Sequence, residues 1–89
     1  MDIIWDLPDD PKGNVQHIAE HGVALEEVEE VLQSRRSRHT VSRTSGSRLT
    51  FGYTSAGRHL AVLWEKALDD PLTAYPLTAY DAPERRNRK

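Results

Sequence analysis

The sequence predicts an α+β domain spanning residues 1–89. The expected form is a small antiparallel β-sheet of four or five strands, two N-terminal helices on one face of it, and a short C-terminal helix. Three observations carry this. From Arg48 to Lys66, two runs with period-two apolar residues flank Thr54-Ser55-Ala56-Gly57, which is a hairpin pattern. Upstream, apolar residues recur twice at helical spacing. The helical segments also precede most of the strands instead of alternating with them, and this argues against a parallel α/β arrangement.

In chain order, Ile3-Ile4-Trp5 reads as a short first strand, stopped by the turn residues and two prolines of the stretch from Asp6 to Pro11. Val15, Ile18 and Ala19 make residues 14–20 a short helix, closed by His21-Gly22 with the glycine as C-cap. Leu25, Val28, Val31 and Leu32 form the buried stripe of a second helix from Leu25 to Gln33. Its early glutamates and the two arginines just beyond its end both complement the helix dipole. The acidic face formed by Glu26, Glu27, Glu29 and Glu30 reads as solvated surface, or as a dock for a basic partner.

His39 to Arg43 suits an edge strand, and Thr44 to Ser47 a turn into the central hairpin. In that hairpin Gly57 supplies the positive φ of a tight connection. Trp5 and Trp64 read as core aromatics, with Trp64 expected between the sheet and a helix. After the turn at Asp69-Asp70-Pro71 the segment Pro-Leu-Thr-Ala-Tyr occurs twice in succession, ending at Tyr75 and Tyr80. A period of five would turn the second copy over in one regular strand, so the working last strand is expected from Tyr75 to Tyr80. The helix after Asp81 or Ala82-Pro83 completes the reading.

Composition narrows the function classes. Only 37% of the residues are hydrophobic, which is low for a domain of 89 residues and leaves a modest core. The chain has no cysteine, which excludes disulfide staples and thiolate chemistry and fits a reducing compartment. No run is long enough to span a membrane and no signal-peptide pattern opens the chain, so a cytoplasmic address is expected. His17 and His21 stand one helical turn apart, half a metal site with nothing beside it to complete one, and no metal or other cofactor is expected. No glycine-rich phosphate loop or serine nucleophile elbow is present.

The net charge of −2 conceals an asymmetry. Residues 1–33 hold nine acids and one base; residues 34–89 hold eleven bases and five acids. The stretch from Ser34 to Arg58 contains six arginines and no acid, and Arg85, Arg86, Arg88 and Lys89 close the chain. Such clustering points to a polyanionic partner, RNA among them, or to an acid–base match between the two halves.

The order and spacing of several pieces resemble the BrnT family, RelE-like ribonucleases of type II toxin–antitoxin systems. The pieces are Trp5-Asp6, Asn14, His21-Gly22, the glutamate-rich second helix, Arg48 four residues before Gly52, Gly57-Arg58 before Leu60-Ala61-Val62-Leu63, and Thr78-Ala79 before a basic tail. Where family members commonly carry an arginine after the small residues of the last strand, this chain has Tyr80. The resemblance implies a RelE-like fold, metal-independent RNA cleavage that inhibits translation, and a cognate antitoxin. That chemistry needs a base for the 2′-hydroxyl, a cation for the phosphorane and an acid for the 5′-oxygen. Arg48 and Arg58 suit a bidentate phosphate clamp. His59, His21 or Glu65 would exchange protons. Tyr80 would donate a proton or stack on a base. The other class of reading is a non-catalytic relative that binds protein or nucleic acid through the same surface.

Overall fold

The computed structural model describes residues 1–42 and 46–83. It is a small α+β fold: β1 (Asp2–Ile3), α1 (Asn14–Glu20), α2 (Leu25–Gln33), β2 (Arg38–Val41), β3 (Arg48–Tyr53), β4 (His59–Asp69) and β5 (Leu72–Asp81). The strands form one sheet in the order β1-β5-β4-β3-β2. Strands β2 to β5 pair antiparallel, but β1 runs parallel to β5. The sheet is therefore mixed and not antiparallel throughout. The chain leaves β1 at one edge, crosses one face of the sheet through both helices and re-enters at β2 on the other edge. Three antiparallel steps then bring β5 back beside β1.

Both helices bury their apolar stripes against that one face. Ile18 of α1 and Val28, Val31 and Leu32 of α2 share a core with Leu60, Val62, Trp64, Ala74 and Ala79. Trp64 is 2% exposed, and its indole N–H donates to Thr50 Oγ1 at 2.8 Å. An aromatic ring with a polar N–H can be buried this far only because that donor has a partner.

Neither helix has a hydrogen-bonding side chain at its N-cap. The first helical amide, that of Asn14, donates to Asp6 Oδ2 at 2.9 Å, and the Asp6 amide donates back to Asn14 Oδ1 at 2.9 Å. Tyr75 Oη also donates to Asp6 Oδ2, at 2.6 Å, and these two bonds hold the Asp6 carboxyl below its ordinary range. At α2 the Ala24 amide donates to Glu27 Oε1 at 3.0 Å, half of a capping box.

The repeated segment lies in one strand that begins at Leu72, three residues earlier than the expected Tyr75. Leu63 pairs with Thr78 and Trp64 with Pro76, so Leu77 is left over as an extra residue. That irregularity absorbs the odd period, and Ala74 and Ala79, equivalent in the two copies, both reach 0% exposure in the same core. The first strand is shorter than Ile3-Ile4-Trp5, although the Ile4 amide still donates to the Ala74 carbonyl at 2.9 Å. The edge strand β2 covers Arg38–Val41, beginning one residue earlier than expected; Ser42 is not part of it, and Arg43, where the expected strand ended, lies outside the described residues. Asp81 belongs to β5 and Ala82 and Pro83 are not helical, so the remainder of the expected C-terminal helix falls outside the described residues. No helix among the described residues is long and apolar enough to cross a membrane.

Candidate nucleic-acid interface

The register of the central hairpin decides which side chains meet. Leu49, Phe51 and Tyr53 pair with Leu63, Ala61 and His59. The apolar row of β3 therefore shares a face with the mixed row of β4, while Arg48, Thr50 and Gly52 lie with Trp64, Val62 and Leu60 under the helices. Among the described residues, no helix covers the face that carries Phe51, Tyr53 and His59. Ala61 sits in its floor between its partners Phe51 and Tyr80 and is fully buried by them.

At the corner of this face lies a hollow of about 300 Å³, lined by Arg36, Arg38, Phe51, Gly52, Tyr53, His59 and Pro83. The His59 ring stacks on Tyr53 with centroids 4.4 Å apart and planes 19° apart, and tilts toward Phe51 at 6.3 Å. His59 Nδ1 lies 3.1 Å from the Pro83 carbonyl oxygen. A carbonyl can only accept, so Nδ1 carries the hydrogen and Nε2 of the neutral ring is the proton acceptor. Arg36 and Arg38 have no acidic partner among the described residues.

The α2–β2 connection brings those arginines to the hollow, and it can do so because residue 52 is glycine. A Cβ there would stand 2.2 Å from Ser37 Oγ and 3.0 Å from Val31 Cγ1. Ser37 is itself pinned by donating to the Val31 carbonyl at 2.6 Å. Gly52 thus lets the connection settle directly onto β3.

The expected clamp of Arg48 and Arg58 does not form on the open face. Arg58 turns toward the helices. Its guanidinium donates to Asp81 at 2.7 and 3.0 Å, to Glu27 Oε1 at 2.9 Å and to the Gly22 carbonyl at 2.9 Å. These partners, Asp81 foremost, raise its pKa still further above the ordinary value and depress that of Asp81. Arg48 also lies on the helix-covered side, with its guanidinium carbon 5.7 Å from the Trp64 ring centroid. His21 ends α1 on the surface, edge-on to His17 at 5.2 Å. Glu65 is exposed on β4, six residues beyond His59, or about 20 Å along an extended strand. Of the expected site residues, only His59 and Tyr80 share the open face near the hollow.

The acidic face of α2 is neither a plain solvated surface nor a free dock. Besides Glu27, Glu29 accepts the Trp5 indole N–H at 2.8 Å and Glu30 accepts the Ser55 amide at 2.6 Å. Among the described residues, no cluster of histidine and acid side chains could hold a metal ion. Compared with known proteins, the chain matches no family model, no curated protein and no solved structure. Arg36, Arg38, Phe51 and Tyr53 were not singled out as site residues by sequence. The acid-free stretch contained both arginines, but pairing outward from the Thr54–Gly57 turn would have set Tyr53 opposite Arg58; in the observed register Arg58 belongs to the connection and Tyr53 faces His59.

Proposed function

We propose that this protein is a BrnT-type, RelE-like toxin of a type II toxin–antitoxin pair, which takes single-stranded RNA in the cytoplasm on the open face of its sheet and cleaves it without a metal. The observation that supports this is the hollow itself. It sets two arginines with no acidic partner among the described residues beside a histidine of defined tautomer and two further rings. In this reading His59 Nε2 takes the 2′-hydroxyl proton and the 2′-oxygen attacks phosphorus. The phosphorus–O5′ bond breaks, and Tyr80 protonates the departing oxygen. One of Arg36 and Arg38 carries the charge that develops on the phosphorane. Phe51 and Tyr53 offer ring faces to unpaired bases.

A second reading is a non-catalytic relative that binds RNA through the same face. It is favoured by Arg58, whose guanidinium is already committed to Glu27, Asp81 and Gly22. The deciding experiment is single-turnover cleavage of short labelled RNAs in chelator, with and without ribosomes, by wild type and His59→Ala, alongside binding by each. Cleavage lost in His59→Ala with binding retained supports the toxin reading. Binding without cleavage by the wild type selects the second. Absence of both rejects the open face as an RNA site.

A further inference from the structure

The hollow beside His59, at about 300 Å³, is at the small end of ordinary ligand sites, a size that suits one nucleotide. Its walls are chemically lopsided. Arg36 and Arg38 present only donors, and the bare Nε2 of His59 is the acceptor that its backbone bond leaves available. The rings of Tyr53 and His59 are already parallel to within 19°, so a third flat group can extend the stack without rotating either. Tyr53 is 49% exposed, which leaves ring surface for it.

A phosphate needs one guanidinium to hold it bidentately, and the second then faces the base. A guanidinium addressing a base edge is matched best by two adjacent acceptors. Guanine offers O6 and N7, whereas adenine pairs one acceptor with a donor and pyrimidines offer a smaller face for stacking. We infer that the hollow formed by Arg36, Arg38, Phe51, Tyr53 and His59 is a mononucleotide subsite selective for guanine, stacking the base and dividing the two arginines between its O6/N7 edge and the adjoining phosphate. This rests on the RNA reading above and adds to it a base preference.

The test titrates the full chain separately with guanosine, adenosine and uridine monophosphates and with inorganic phosphate, following the ring resonances of Tyr53 and His59 and the heat of binding. A guanine-containing single-stranded RNA and an all-uridine one are titrated in parallel. Guanosine monophosphate should bind about 5- to 10-fold more tightly than the others, the lower end of what one bidentate base contact gives. Tyr53→Ala should weaken every nucleotide while leaving phosphate unchanged. One of Arg36→Gln and Arg38→Gln should abolish the preference for guanine over adenine. Equal affinity for guanosine monophosphate and phosphate would reduce the hollow to an anion site and overturn the inference, as would equal affinity for all nucleotides. If the two RNAs bind equally well, the base preference falls and the RNA reading stands. If neither binds, both fall.

Discussion

The two faces of this sheet use the same residue types for opposite ends. On the covered face, Arg58 and Arg48 are held within the fold, the first by two acids and a carbonyl and the second over Trp64. On the open face, Arg36 and Arg38 have no acid partner among the described residues and flank rings that remain partly exposed. An arginine such as Arg58, whose donors are satisfied internally, stabilises the fold and has little left for a ligand; one whose donors face water can exchange that water for phosphate. Arginine count in the sequence therefore says less about nucleic-acid binding than the side of the sheet on which each arginine falls.

The comparison can be broken most severely at the aromatic positions. Trp64→Ala should cost about 3–5 kcal/mol in urea denaturation, approaching the whole stability of a domain this small. Tyr53→Ala, on the open face, should cost no more than about 0.5 kcal/mol. Comparable losses at the two positions would mean that the open face is packed and not free. Gly52→Ala comes next, at about 1–3 kcal/mol, because its Cβ would drive Ser37 off β3. That variant should also lose RNA affinity at concentrations where it is folded, since Arg36 and Arg38 ride on the displaced segment.

Arg58→Ala should lower the melting temperature by roughly 5 °C, the scale of about 1 kcal/mol in a domain of this size, and leave the salt dependence of RNA binding unchanged. Arg36→Ala and Arg38→Ala should do the reverse, each weakening RNA binding with little change in melting temperature and the phosphate-holding one reducing the salt slope by about 1. A common response from all three would erase the distinction between the faces.

The smallest effect is in the acid range. The carboxyls of Asp6 and Asp81 are held below their ordinary value of 3.8 by Tyr75 and Arg58 respectively. A depressed folded-state value contributes stability above the unfolded value, and that contribution is lost as pH falls through the folded one. Melting temperature should therefore decline below about pH 4. Tyr75→Phe should be less stable than wild type at pH 7, with the gap narrowing at pH 3. A constant gap between the two proteins would show that the Asp6 bond is not what Tyr75 contributes.

Much of this was legible in sequence where one element decided the matter alone. Leu25, Val28, Val31 and Leu32 mark α2 by spacing, and the glycine at 57, with φ of 90°, closes the hairpin as its position suggests. The faces were harder, because each hairpin strand offers its own apolar row and only the pairing decides which rows coincide. Phe51 meets Ala61 and not Val62, and that single-residue choice puts His59 on the open side and Arg58 on the covered one. The extra residue at Leu77 could not be read from one strand, since an irregularity belongs to a pair. The roles of Glu27, Glu29 and Glu30 depend on contacts with Arg58, Trp5 and Ser55, residues 24 to 31 positions away.

Arg58 and His59 are consecutive, so one peptide unit joins the covered face to the open one. The groups that grip the guanidinium come from α2, from the turn after α1 and from the end of β5. The Ala82 amide then donates to the His59 carbonyl at 3.0 Å, and the Pro83 carbonyl receives the imidazole N–H. The backbone at the head of β4 is thus riveted from behind, and the aim of the His59 ring inherits that rigidity. A residue that touches no RNA would in this way govern how steadily the proton acceptor on the far side of the sheet is presented.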